Sequence, residues 1–275
     1  MNRKHFNIYK AHGGKEKFSG RKLFASLKRS GLPYKQCQLI TDKVSKEINE
    51  GSDTKEIFKK TLRLVNQNSH VAAVHYSLKR AIFELGPTGH QFELFVAKYF
   101  QHKGFNTKTC QTLNGRLVKH EVDVIGMNNN TRIFAECKFH NRLGIKNDIK
   151  IALYIKARRD DLKEGPEGKN FHHFYLVSNT AFSKDAITYS AGSDIVLLGV
   201  NAPSDRSFLD EIKDLNLYPV TSLRGLSKLQ KNELLIKNII LAKELPRHIN
   251  FLLKIGMLDH EIDKLLGEIK MLETY

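Results

Sequence analysis

The sequence predicts an α/β protein with a small, mostly helical N-terminal domain, a mixed-sheet α/β core and a helical C-terminal tail. Three observations lead there. Apolar residues recur at helical spacing before residue 87 and after 219, and short apolar or alternating runs divided by turn residues alternate with helical patterns in between. The punctuation Gly86-Pro87-Thr88-Gly89 disfavours a continuous helix. The expected domains are therefore 1–87, 88–218 and 219–275.

In the first domain Leu23 and Leu27, then Ile40, Val44 and Ile48, then Ile57, Leu62 and Val65 mark the apolar faces of helices that follow a short basic hairpin. In the second, Phe92, Phe95, Val96, Tyr99 and Phe100 predict a helix over about 88–103, stopped at Gly104. Strands are expected near 105–113, 119–127 and 131–139, with Asn114-Gly115 as the first hairpin turn. A helix fits 147–163, a buried strand 171–177, a helix 183–192 and a buried strand 195–200. In the third, leucines after Pro219 suggest helices, Pro246 interrupts them, and helical periodicity resumes over 248–272. This tail is expected to pack as an appendage or as a surface joining copies of the chain in a homo-oligomer; direct contact with DNA is its other reading.

Composition narrows the function. The chain has 275 residues, 41% hydrophobic and 27% charged, with net charge +16, which predicts an anionic partner. Residues 1–87 hold 18 Lys/Arg against 7 Asp/Glu, net +11, which leaves +5 for the rest. Cys37, Cys110 and Cys137 lack metal-pair spacing, no long apolar span appears, and a reducing cytoplasm is the expected location, without membrane insertion.

The most informative stretch runs His120-Glu121-Val122-Asp123-Val124-Ile125, turns through Asn128-Asn129-Asn130, and returns as Arg132-Ile133-Phe134-Ala135-Glu136-Cys137-Lys138. On paired antiparallel strands Asp123 and Glu136 meet, and the two-residue period puts Lys138 on the face of Glu136. Two carboxylates suit Mg²⁺, and a lysine beside them can orient or deprotonate a water. Charged residues alternating with apolar ones also describe any half-exposed hairpin.

Gly89-His90-Gln91-Phe92-Glu93, His120 to Asp123, Glu136-Cys137-Lys138-Phe139-His140, Tyr175 to Thr180 and Phe182-Ser183 together resemble the Mrr-like branch of the PD-(D/E)-x-K nucleases, in the family's order. The resemblance implies a metal-dependent DNA endonuclease using Mg²⁺ (or Mn²⁺), with defence against foreign DNA as its context. It assigns Asp123 and Glu136 to the metal, Lys138 to catalysis, and Glu93 to completing the metal shell. His120, Glu121 and His140 lie close to the site in sequence, as candidates to contact substrate or tune the lysine, while strand alternation is read as turning Glu121 away from Asp123, as a structural residue or part of the opposite surface.

Residues 8–83 resemble an ATP-cone, a regulatory nucleotide-binding module. The correspondence runs from Ile8-Tyr9-Lys10 through Gly13, Glu16, Phe18, Lys22-Leu23 and Gly31-Leu32-Pro33, then along Thr54 and Ile57 to Tyr76, Lys79 and Arg80. It implies ATP or dATP as an allosteric ligand, with Lys10, Glu16, Lys22, Thr54 and Lys79 as contacts. Ala11 and Phe58 stand where the module usually has a basic residue and a histidine. No Walker loop suggests a motor ATPase. Two other readings share these residues: a nucleotide-sensing DNA-binding regulator without cleavage, and a structure-selective repair or RNA nuclease.

Overall fold

The computed structural model describes residues 6–10, 13–142, 144–168 and 170–274. The basic hairpin forms as β1 (Asn7–Tyr9) and β2 (Lys15–Lys17), antiparallel, with Ile8 opposite Glu16. Ala11 lies outside the described residues. Four helices follow: α1 (Gly20–Arg29), α2 (Tyr34–Glu47), α3 (Thr54–Asn68) and α4 (His70–Phe83). Ser19 and Asp53 cap α1 and α3 by accepting the Lys22 and Lys55 amides at 3.2 and 2.6 Å. The apolar positions read from the sequence close one cluster, in which Leu27, Val44 and Val65 are fully buried beside Phe6, Ile8 and Ile40.

The second half opens with α5 (His90–His102) and continues as β3 (Asn106–Asn114), β4 (Lys119–Met127) and β5 (Arg132–Lys138). Next come β6 (Lys146–Asn147), α6 (Ile149–Glu164), β7 (His173–Ser178), β8 (Ala181–Phe182), α7 (Lys184–Ala191), β9 (Ile195–Leu198) and α8 (Phe208–Asp214). The five-stranded sheet has the order β3-β4-β5-β7-β9, antiparallel as far as β5 and parallel from β5 to β9. The parallel strands are the continuous apolar runs, as burial on both faces requires. On one face α5 packs Phe92, Phe95, Val96 and Phe100, and the Phe100 ring meets Tyr175 edge-on at 4.9 Å. On the other, Ile155 and Leu162 of α6 and Ala186 of α7 close over Phe134, Phe174 and Leu176. Each such phenylalanine contributes roughly 1.5–3 kcal/mol by leaving water.

Several expectations change in detail. The turn after β3 is longer than Asn114-Gly115: Asn114 ends the strand, and Gly115 N–H donates to Val118 O at 2.9 Å. A Cβ on Gly115 would lie 2.1 Å from an Asp161 carboxylate oxygen, so only glycine fits beneath it. That carboxylate also accepts the Leu117 amide at 2.8 Å and caps the loop. The strand expected from 171 begins at His173, because Phe171 N–H closes a turn onto Gly168 O. The parallel pair β6 and β8, two residues each, is too short to register as periodicity.

The tail holds α9 (Lys228–Ile236), α10 (Ile249–Lys254) and α11 (Asp259–Glu273). The single run expected over 248–272 is broken at Gly256, whose φ of +84° a helix cannot hold. Val220 N–H reaches Ile240 O at 2.8 Å, Thr221 Oγ1 donates to Ala81 O at 2.6 Å, and the Glu268 carboxylate accepts the Arg224 and Gly225 amides.

The chain forms two units, residues 1–78 with 270–275, and residues 79–269. The change of unit falls inside α4, and Gly86–Gly89 lies within the second. Among the described residues no helix is long and apolar enough to cross a membrane.

Candidate active site

β4 and β5 pair from Met127 with Arg132 up to Val124 with Ala135, and there the ladder stops. Asp123 and Glu136 are the next residues on each strand, so they occupy the point where the strands part. Beyond it β5 stays paired with β7, Glu136 beside Leu176 and Lys138 beside Ser178. This keeps Glu136 and Lys138 on one face, with Lys138 exposed at the open end.

On the other side of β4 the ladder is also interrupted. Thr109 pairs with Val124 and Gln111 with Val122, while Cys110 and Asp123 between them drop out. Cys110 takes φ +52°, which L-residues rarely adopt. Val122 and Ile125, three residues apart, pack in the same cluster, so the two-residue alternation slips at Asp123-Val124. Freed from the ladder, the Asp123 carboxylate turns to accept the Cys137 amide at 2.7 Å.

Glu93 enters from the first turn of α5. Its Oε2 lies 3.5 Å from Cys110 Sγ and 3.8 Å from His90 Nδ1. The negative charges feel one another: Asp123 is pushed up to about 7, first by burial, then by Glu136 and Glu93, against the pull of the Cys137 amide and Arg158. Burial also raises Glu136, opposed by Arg158 and Lys138. The Cys137 thiol is held well above its ordinary value by desolvation and by the same carboxylates.

Arg158 is the residue that sequence reasoning missed. From α6 its Nη1 donates to Glu136 Oε2 at 2.6 Å, and Nη2 binds the Glu121 carbonyl, while Nε has no partner among the described residues. Its signal was positional: Ile155, Arg158 and Leu162 share a helical face, which places a guanidinium where the pattern demands burial. The assignment of Glu121 to the opposite surface is a mistake of register. Residues two apart on a strand share a face, and the charges of both Glu121 and Asp123 act on the Cys110 thiol.

The neighbouring histidines have defined partners. His120 Nε2 meets Asp161 at 2.7 Å, below the loop after β3. His140 lies in a polar network that ties down the chain after Lys138. Its amide donates to Asn179 Oδ1 and its Nε2 meets Asn147 Oδ1, while Asn147 donates to Ser178 Oγ and Ser178 Oγ donates to Lys138 O at 2.8 Å. Phe139 packs on Phe92 and fills the space over Gly86, where a Cβ would lie 2.8 Å from its ring.

In the first unit, Glu16 draws two of the nucleotide candidates together. Its carboxylate binds Lys10 Nζ at 2.9 Å and also Lys22 Nζ, which lowers its pKa, the Lys22 bond first. Thr54 opens α3 beside Asp53, which bridges to Tyr9 of the hairpin. Phe58 stacks on Tyr76 at 5.3 Å and so serves packing. Lys79 lies in the second unit, on the exposed side of α4.

Residues 86–202 match the restriction endonuclease family Mrr_cat, and residues 218–273 match the family AF1548-like, C-terminal. An uncharacterized protein of Archaeoglobus fulgidus is 33% identical over 129 residues, 47% of this chain and 71% of its own length. The crystal structure of a protein of unknown function, AF1548, superposes with a TM-score of 0.55 at 26% identity, covering 68% of this chain and 100% of that one. A restriction-endonuclease domain implies phosphodiester hydrolysis, and that family typically uses a divalent metal ion. The chain therefore joins an Mrr_cat restriction endonuclease domain to an AF1548-like C-terminal domain, and belongs to one family with that archaeal protein.

Proposed function

We propose that the protein is a metal-dependent DNA endonuclease acting in defence against foreign DNA, with ATP or dATP as a regulatory ligand of its first unit. The observation that carries the nuclease reading is the convergence of Asp123, Glu136 and Glu93 from β4, β5 and α5, close enough that their repulsion helps lift Asp123 to about 7. This donor set fits Mg²⁺ or Mn²⁺, hard cations that take carboxylate oxygens and keep several waters. When bound, the ion polarises the scissile phosphate and acidifies a water.

The chain's own groups do the rest. Arg158 fixes the rotamer of Glu136 from the α6 side, and the Cys137 amide fixes Asp123, so the two acids are oriented before substrate arrives. Lys138, at the open end of β5, orients or deprotonates the attacking water and offsets phosphate charge. The hydrogen bond from Ser178 to the Lys138 carbonyl holds that residue's backbone in place.

A second reading, DNA binding without cleavage, draws support from Arg158, which supplies Glu136 with a permanent cation. For the nucleotide reading, support comes from the net charge of +11 over residues 1–87 and from the convergence of Lys10 and Lys22 on Glu16. Plasmid cleavage with Mg²⁺, with and without ATP or dATP, beside Lys138→Ala, separates the readings. Cutting by the wild type alone supports the nuclease, and binding without cutting supports the second reading. Linear, branched, single-stranded and RNA substrates then define the substrate class.

A further inference from the structure

We propose that His90, Glu93 and Cys110 form a binding site for Zn²⁺, and that Zn²⁺ held there restrains cleavage by taking Glu93 from the hard metal ion of the reaction. The regulatory half rests on the nuclease reading; the binding half does not.

His90 and Glu93 stand three residues apart on α5 and therefore project to one side of the helix. Cys110 comes from β3, and its departure from the ladder at φ +52° leaves the thiol beside them. All three ligand atoms lie within 4.8 Å of one another, the Cys110 to Glu93 pair at 3.5 Å and the His90 to Glu93 pair at 3.8 Å. Tetrahedral zinc with bonds of about 2.0–2.3 Å sets its ligand atoms roughly 3.3–3.7 Å apart, so two edges are close to formed and the third closes by side-chain rotation.

The donor types choose the ion. Thiolate and imidazole favour Zn²⁺ over Mg²⁺, which prefers oxygen alone. His90 and Cys110 are exposed, so an ion reaches them from solvent. Binding exchanges the thiol proton, released to solvent, for a sulfur–zinc bond, and three protein ligands leave a fourth position for water. Glu93 is common to this site and to the proposed catalytic donors, so the two ions compete for it.

The test uses the full chain after chelator treatment. Titration with Co²⁺ is expected to raise a thiolate-to-cobalt charge-transfer band in the near ultraviolet that saturates at one equivalent and is displaced by Zn²⁺. Cys110→Ser should remove the band and His90→Ala should weaken it, with circular dichroism showing both variants folded. No band, or a band that survives Cys110→Ser, overturns the site. In the cleavage assay, micromolar Zn²⁺ against millimolar Mg²⁺ should inhibit the wild type and inhibit Cys110→Ser at least about tenfold less, since losing a ligand costs no less than losing an outer-shell partner. Equal inhibition of both overturns the regulatory half. A protein that shows the band but never cuts with Mg²⁺ keeps the zinc site and loses the nuclease reading.

Discussion

Replacing Asp123 with Asn is expected to stabilise the metal-free protein at alkaline pH. The carboxyl has an ordinary value of 3.8 and titrates at about 7 in the fold. Between those values the unfolded chain has released a proton that the folded chain keeps, so stability falls as pH rises. The loss is absent below 3.8 and complete above about 7. At about 1.36 kcal/mol per pH unit the whole interval corresponds to about 4 kcal/mol. That is an upper figure, because Glu136 titrates together with Asp123. Asparagine carries no charge to desolvate, and its carbonyl oxygen can still accept the Cys137 amide. Urea denaturation of both proteins in chelator should therefore show the variant ahead by about 1 kcal/mol at pH 5 and by roughly 2–4 kcal/mol at pH 8. Added Mg²⁺ should stabilise the wild type at pH 8 and leave the variant unmoved. A variant less stable than the wild type at pH 8, or a gap that does not widen with pH, refutes the reasoning.

Lys138→Ala should cut cleavage by about 10²-fold or more while leaving Mg²⁺-induced stabilisation intact, since an ammonium donates hydrogen bonds and cannot ligate a metal. Arg158→Met leaves the Glu136 carboxylate without its cation and should cost about 3–5 kcal/mol in denaturation midpoints; adding Glu136→Gln should recover part of it, and no recovery would argue against a charge effect. Calorimetry on the full chain should detect ATP or dATP at micromolar affinity, about −8 kcal/mol, weakened by Lys10→Ala and by Lys22→Ala; absence of heat at millimolar nucleotide removes the regulatory reading.

What the sequence could and could not reveal divides along the range of the interactions. The α5 helix and the β4–β5 hairpin were legible because each is written in local spacing, Phe92 to Phe100 at helical intervals and Val122 to Lys138 in alternation around the asparagines. From that hairpin the neighbouring positions of Asp123, Glu136 and Lys138 followed. Arg158 was hidden because its partner lies on another element, and a basic residue in a charged stretch looks like a solvated one. The positive φ of Cys110 was equally hidden, since no glycine or asparagine announced it. The division of the chain inside α4 escaped notice because helix continuity is a local property, whereas compactness depends on distant contacts.

That division has a consequence for how the molecule is made. Residues 270–275 complete the unit begun by residues 1–78, and Leu272 is almost wholly buried. In synthesis this segment follows all 191 residues of the second unit, 79–269. The nuclease-like unit is therefore synthesised whole before the earlier-made helices receive the segment that completes their unit. Deleting residues 270–274 should accordingly weaken the unit formed by residues 1–78, and leave the unit of residues 79–269 comparatively whole.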